Sequence, residues 1–457
     1  MRMTPCDPWL VLNAGMDSAA SIAPVGDAEQ EVVGLLQDLI RIDSTNPGDG
    51  SGPGEIGVAD YVAERLREVG LEATRYSTTS DKRAGVLLRV PGTNPDRGKL
   101  LVHAHLDVVQ AVGEWTHPPF AAEIADGMVW GRGAVDMKDG VATILACLRS
   151  WARNDVRPER DMVFLFLPDE EAGGQHGAHW ITEHHRDWFD GVTECVGEVG
   201  GFSFEVTPGK RMYLIETAEK GLRWMRLRAT GRAGHGSMLN DNNSVTALAE
   251  VLARIGRHPW PVRITETNKR FLYELSQALG EDVDPHDMPR LLSVLGPLAG
   301  IVGSTFANSA QPTMLDAGYK MNVIPETAEA SVDGRVLPGY EEEFERTIEE
   351  LLGGQAEIVD MFRDVTLETT FDGPTVDAMA AAIRAEDPEG IPVPYTMSGG
   401  TDAKAFSQLG IRPFGFIPLR LPADLEFSKL FHGVDERVPL DALTFGTRVM
   451  DRFLRAC

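Results

Sequence analysis

Two short stretches of this chain, LLVHA at 100–104 and MVFLFL at 162–167, are almost wholly apolar, and each runs straight into ionisable residues. A strand with no polar face has both faces covered, which places these two in the interior of a mostly parallel sheet with helices on either side. The flanking sequence supplies such helices. Residues 27–42 carry Val32, Val33, Leu35, Leu36, Leu39 and Ile40 at helical spacing, with Pro47 just beyond. Further helices are read at 56–69, stopped by Gly70, at 137–151 and at 173–185, and another strand at 85–90. Strands alternating with helices define the α/β class.

The pattern changes near Lys220. In RWMRLRAT at 223–230, Met225, Leu227 and Ala229 alternate with Arg226 and Arg228, and AEASVD at 328–333 alternates the same way. Such strands belong to an antiparallel sheet with one wet face. With a helix at 245–255 between them, 220–336 reads as a smaller α+β insert. The α/β style resumes from Gly339 with helices at 341–352 and 376–385 and an apolar strand at 411–419. The expected division is a tail at 1–26, a first α/β part at 27–219, the insert at 220–336 and a second α/β part at 337–457.

Charge narrows the partners. Over 457 residues, 43 Lys+Arg against 69 Asp+Glu leave a net charge of −26. Nucleic acid and an anionic membrane surface both call for the opposite sign, so neither is expected as a partner. Cys6, Cys147, Cys195 and Cys457 form no CxxC pair, which speaks against a disulfide framework or a cysteine zinc site. No apolar run is long enough to span a bilayer. The apolar stretch 9–12 is hemmed in by Asp7 and Pro8, so a signal peptide is not expected, and Met16 offers a second start. The expected location is cytoplasmic.

The chemistry sits just after strands, where open α/β sheets bind ligands. His105 and Asp107 in HAHLDVV lie two apart, so their side chains point the same way. His105 is read as a metal ligand and Asp107 as the carboxylate that holds its ring, with His103 as a rival of the same parity. In GRGAVDMKDG, Asp136 stands between a glycine turn and a helix, and it occupies the place of the third glycine of a dinucleotide fingerprint, which rules that reading out. FLFLPDEEAGG brings Asp169, Glu170 and Glu171 together after a buried strand, where like charges call for a cation. Glu198 is flanked by glycines in GEVGG, and His432 follows in FHGVDERV. Two histidines and three carboxylates form a nitrogen/oxygen set suited to zinc, cobalt or manganese. Five ligands are too many for one catalytic metal but suit two metals with a bridging carboxylate, and one acid is then left over as general base. A serine hydrolase does not fit, because His235 stands where GHGSM would need its first glycine.

Taken together, these motifs resemble the zinc exopeptidase/deacylase family of acetylornithine deacetylase, succinyl-diaminopimelate desuccinylase, aminoacylase and glutamate carboxypeptidase, from about residue 30 to the C-terminus. The resemblance implies that His105, Asp136 and Glu198 hold one zinc, and that Asp136, Glu171 and His432 hold the other, with Asp136 bridging. Glu170 would be the general base, and the peptide bond between Asp136 and Met137 would be cis. The insert would be the family's lid, often also its dimerisation domain. There His235, in GRAGHGS, would polarise the substrate carbonyl, in many members across a homodimer. Arg335 would grip the substrate's carboxylate, Asn322 would contact substrate, and Gly400 and Thr401 of SGGTDAKAF would line the pocket.

The implied function is a co-catalytic dizinc hydrolase that cleaves an amide bond next to a free carboxylate: an N-acyl-amino-acid deacylase, a carboxypeptidase or a dipeptidase. A non-catalytic relative that binds amino-acid-like ligands is the competing reading, and Glu170 beside a complete ligand set opposes it. The chain departs from the family pattern at Gln110, at Asp139 and at Val199, which interrupts the usual Glu-Gly-Gly run and keeps Glu194 as a rival of Glu198. The stretch 257–312 is long enough to support a dimer or to cover the interface in its place.

Overall fold

The computed structural model describes residues 27–94 and 96–457. The expected tail at 1–26 and its apolar stretch therefore lie outside the described residues. Along the chain run strands β1 (Thr74–Ser77), β2 (Ala84–Val90), β3 (Lys99–His105), β4 (Glu123–Ala125), β5 (Met128–Trp130), β6 (Met162–Leu167), β7 (Val192–Gly197), β8 (Phe202–Thr207) and β9 (Lys210–Glu219). They continue with β10 (Gly221–Thr230), β11 (Gly234–His235), β12 (Ser309–Ala317), β13 (Val323–Ile324), β14 (Thr327–Val336) and β15 (Glu357–Arg363). The last four are β16 (Leu367–Glu368), β17 (Ile391–Met397), β18 (Arg412–Gly415) and β19 (Arg437–Pro439).

Ten strands form the central sheet in the order β1-β2-β6-β3-β7-β18-β9-β16, with β17 and β8 also paired to β9. The run β6-β3-β7-β18 is parallel, as is β17 on β9. The pairs β1/β2, β2/β6, β18/β9, β8/β9 and β16/β9 are antiparallel. The sheet is thus mixed, which corrects the mostly parallel expectation: its interior is parallel and its flanks are hairpin-like. Parallel neighbours need crossover helices, whereas short connections such as 208–209 allow only an antiparallel return.

The strands 99–105 and 162–167 are buried on both faces, as their composition requires. Leu100, Val102, Met162, Phe164 and Phe166 pack with the helices Ala28–Arg41, Ile56–Arg67, Lys138–Asn154, Pro374–Glu386 and Leu440–Ala456. Leu101, Val163 and Leu165 face the other way, against Ile181 of Ala178–His184 and Phe406 of Ala403–Ser407. Period-two alternation therefore feeds two separate cores from the same strands.

A second, wholly antiparallel sheet has the order β12-β14-β10-β15. Met225, Leu227 and Ala229 of β10 and Ala328, Ala330 and Val332 of β14 point into its own core, under Leu248, Val251 and Ile255 of Ser244–Arg257 and Phe344 and Ile348 of Glu341–Leu352. This sheet takes in a helix and a strand beyond residue 336. In contrast, the helices Glu266–Leu279 and Met288–Leu295 and the turns up to Phe306 send Phe271, Leu275, Leu291, Leu298, Val302 and Phe306 into the large core. Much of the stretch 257–312 therefore belongs with the central sheet, not with the small one. Among the described residues, no helix is long and apolar enough to cross a membrane.

Candidate metal centre

β3 ends on His105, and the chain then turns through Leu106 to Asp107. Both polar side chains are buried. His105 Nδ1 lies 3.0 Å from the Asp107 carbonyl oxygen and 3.6 Å from its carboxylate. That fixes the ring so that Nε2 faces forward. The Asp107 carboxylate also accepts hydrogen bonds from the backbone N–H groups of Glu170 (3.1 Å) and Glu171 (3.1 Å), and from Asn46 Nδ2 (2.8 Å). One carboxylate thus ties the exit of β3 to the exit of its parallel neighbour β6.

Asp136 arrives on the tight turn 131–136, whose Gly131 and Gly133 have φ of 155° and 88°. The Asp136–Met137 bond is cis, as expected, and the helix Lys138–Asn154 follows. The turn is held by a residue the sequence reading did not single out. The fully buried Glu436 accepts from Arg132 Nη1 (2.7 Å) and from the backbone N–H of Gly133 (3.0 Å), Val135 (2.8 Å) and Asp136 (3.1 Å).

The five proposed ligands and Glu170 converge. His105 Nε2 is 3.2 Å from Asp136 Oδ1 and 3.3 Å from Glu198 Oε2. His432 Nε2 is 3.1 Å from Asp136 Oδ2 and 3.0 Å from Glu171 Oε2. Asp136 therefore stands between the two histidines and turns one oxygen to each. Glu170 Oε2 approaches His105 Nε2 to 4.0 Å. Donor atoms of His105, Glu170 and Glu198, and likewise of His105, Asp136 and Glu171, all lie within 4.8 Å of one another. The two rivals lie elsewhere. His103 packs its ring edge-on against Phe406, and Glu194 bonds Arg160 and Thr375.

Burial, the Glu198 charge and Glu171 drive the Glu170 carboxyl well above its ordinary range. Burial and the Asp136 charge push Glu171 to about 8. Hydrogen bonds to Asp136 and Glu171 raise His432 to about 10. Burial alone would lower His105, but the Glu198 charge and bonds to Asp107, Asp136 and Glu198 outweigh it and hold it high. Two buried carboxylates, Asp136 and Glu198, and two partly buried ones, Glu170 and Glu171, face two imidazoles and are therefore short of positive charge. This donor set and its charge deficit fit divalent cations, and mixed nitrogen/oxygen ligands suit Zn²⁺, Co²⁺ or Mn²⁺.

The cluster opens on a cavity of about 500 Å³ whose lining includes Asp136, Glu170, Glu171, Glu198 and His432. Arg335, Gly400 and Thr401 also line it. Arg335 Nε and Nη2 pair with Asp333 at 2.8 and 3.0 Å, and its Nη1 reaches Ser398 O at 3.4 Å. Thr401 donates through N (3.0 Å) and Oγ1 (2.7 Å) to the buried Glu219. His235 and Asn322 are brought together but away from this lining. His235 lies on the exposed β11/β13 ribbon, its Nδ1 2.8 Å from Ser237 Oγ, and the Asn322 carbonyl accepts from Gly236 N. Besides Glu436, the sequence reading missed Asn46 and Arg83. Asn46 bridges Asp107 and Asp169, and Arg83 bonds Asn46 and pairs with the buried Glu55. Asn46 sits in a Gly/Pro/Asp-rich loop that reads as an ordinary turn, so it carried no local signal.

A mixed α/β sheet whose strand ends present His105, Glu170, Glu171 and Glu198, joined by Asp136 and His432 from neighbouring segments around one shared aspartate, defines a metallohydrolase. The profile of Peptidase family M20/M25/M40 matches residues 101–456, and the chain belongs to that family. Among its relatives, a probable carboxypeptidase S-like 2 of Dictyostelium discoideum is 28% identical over 75% of this chain and 68% of its own length. Aminoacylase-1 of Mus musculus is 26% identical over 94% of this chain and 96% of its own length. The crystal structure of an M20 family metallo-carboxypeptidase from Sulfolobus solfataricus shares the fold with a TM-score of 0.71 at 17% identity, covering 93% of this chain and 99% of that one.

Proposed function

We propose that the protein hydrolyses an amide bond next to a free carboxylate, in N-acyl amino acids or short peptides, with two zinc ions that cobalt or manganese can replace. His105, Asp136 and Glu198 would hold one ion, and Asp136, Glu171 and His432 the other. The observation that carries this reading is the Asp136 carboxylate, with one oxygen toward each histidine. When bound, the ions supply an acidified water and polarise the scissile carbonyl. Glu170 takes a proton from the attacking water and passes it to the leaving amine. Its partly buried position and its place beside His105 support that role. Asp107 keeps the His105 ring in one orientation. Arg335 grips the substrate's carboxylate, and Gly400 and Thr401 shape the wall beside it. The names of the relatives, a carboxypeptidase and an aminoacylase, agree with this substrate class.

The small sheet is read as a lid inserted in the catalytic domain, with outer limits nearer 221–363 than 220–336. The same sheet is read as the contact surface of a homodimer in which His235 and Asn322 serve the partner's cavity. The exposed Met314, Leu315, Tyr319 and Met321 on and beside edge strand β12 support that reading. A cytoplasmic location accords with the buried thiols of Cys147, Cys195 and Cys457. The test pairs metal and turnover. Chelator-treated protein is restored with zinc and offered N-acetyl amino acids, N-succinyl-diaminopimelate and dipeptides, with Glu170→Gln alongside. Amine release that needs metal and falls roughly 10²–10⁴-fold in Glu170→Gln, with both ions retained, is the expected result. Full activity in Glu170→Gln or in metal-free protein overturns the reading.

A further inference from the structure

We propose that Lys220 is a second cationic anchor for the substrate's free carboxylate, acting beside Arg335. The proposal rests on the reading of the cavity as an amide-hydrolase site. Lys220 is the single residue that joins β9 of the central sheet to β10 of the small one. In the register of the small sheet, Leu222 pairs with Arg335 and Ser309 with Arg335 from the other side. The start of β10, the end of β14 and the start of β12 thus bring Lys220, Arg335 and Ser309 to one edge, and all three line the cavity.

The other cations at this edge are already matched. Asp333 takes two nitrogens of Arg335. The buried Lys404, which donates to the Lys220 carbonyl at 2.8 Å, lies 3.2 Å from Asp364. Lys220 differs. Its residue is fully buried, and among the described residues its Nζ has a single hydrogen-bond acceptor, the Ser304 carbonyl at 2.8 Å, and no carboxylate ion pair. An ammonium carries three N–H donors. A charge buried without a counter-ion is costly unless an anion joins it. Burial and the neighbouring Arg335 pull the Lys220 ammonium down to about 7 although the Asp333 charge nearby favours it, so an anion that enters here would help to restore its charge. Ile301, Met397 and Phe431 of the same lining offer apolar contact to the rest of the molecule. The arrangement therefore calls for one carboxylate on an otherwise apolar amino-acid derivative.

The experiment uses the zinc-loaded full chain. Lys220→Met keeps the length and removes the charge, and Lys220→Arg keeps the charge. Each is assayed with the best N-acyl amino acid of the panel and with its carboxamide. In Lys220→Met, KM for the carboxylate substrate rises roughly 10–100-fold, the loss expected for a charge-assisted hydrogen bond. Its kcat stays within about threefold, its KM for the carboxamide is unchanged, and Lys220→Arg recovers most of the loss. A readout without turnover is the thermal shift of the zinc-loaded protein by N-acetyl amino acids, expected in wild type and Lys220→Arg and lost in Lys220→Met. An unchanged KM in a folded Lys220→Met, or equal losses on carboxylate and carboxamide, overturns the proposal and leaves the hydrolase reading intact. A wild type neither active on nor stabilised by any carboxylate of the panel overturns both.

Discussion

Glu436 is the residue whose replacement most directly tests how the site is built. Its carboxylate is buried and takes four hydrogen bonds, from Arg132 Nη1 and from the N–H groups of Gly133, Val135 and Asp136. Glu436→Gln keeps the volume but turns one acceptor into a donor and removes the counter-charge of Arg132, whose side chain is also buried. Breaking one half of a buried ion pair costs about 3–5 kcal/mol. Each buried N–H left without an acceptor adds about 1–3 kcal/mol, although these terms are not additive within one network. A loss of about 3–5 kcal/mol is therefore expected in denaturant unfolding, a large share of the roughly 5–15 kcal/mol that holds a typical domain. The turn would also release its grip on Asp136. Groups that orient a metal ligand typically contribute 10–100-fold to metal affinity, so chelator competition is expected to show a loss of roughly that size. In the double variant with Arg132→Met, the stranded guanidinium disappears, and more than about 1 kcal/mol of stability is expected to return. A Glu436→Gln protein with unchanged unfolding free energy and unchanged metal affinity would refute the reasoning.

Three further outcomes are expected. Metal affinity weakens as pH falls from about 8 to about 6, because protons on Glu171 (about 8) and His432 (about 10) must leave before an ion can enter; a chelator competition flat over that range contradicts it. Asp107→Asn, which keeps the size but loses the charge that faces Asn46 and the two backbone N–H groups, lowers metal-dependent turnover roughly 10–100-fold, read as kcat at saturating zinc. If two copies pair through edge strand β12 as proposed, Met314→Glu shifts the protein to monomer in sedimentation, and activity falls with it if His235 serves the partner's cavity; a dimer of the variant that survives at low micromolar protein argues against that interface.

What the sequence disclosed follows from the range of each physical signal. The helix read near 341–352 forms at Glu341–Leu352, where Phe344, Ile348 and Leu352 repeat at helical spacing under an acidic first turn. The strand 223–230 is legible because burial alternates along it. The helix expected over 173–185 shrinks to Ala178–His184 because the positive φ at Asp169, Gly173 and Gly174 spends the preceding residues on a turn. Sheet direction at the flanks was not legible, since it depends on which distant strand supplies the neighbour, as with β9 between β18 and β17. The site divides in the same way. Acids and histidines placed after apolar strands are local signals and stood out. Glu436, Asn46 and Lys220 did not, because what sets them apart is the burial of a polar side chain, and that is a property of the folded chain.

The shared carboxylate also fixes when in the life of the chain the site can exist. Asp136 depends on His105 early in the sequence and on His432 late in it, and the turn that carries it is pinned by a contact between Arg132 and Glu436, 304 positions apart. At roughly 5–20 residues per second, a ribosome needs about 15–60 s to travel that distance. From the addition of Glu198 until that of His432, the nascent chain carries Glu170, Glu171 and Glu198 without the second histidine of the cluster. Of the two proposed ligand sets, the one that needs His432 is thereby completed only near the end of synthesis.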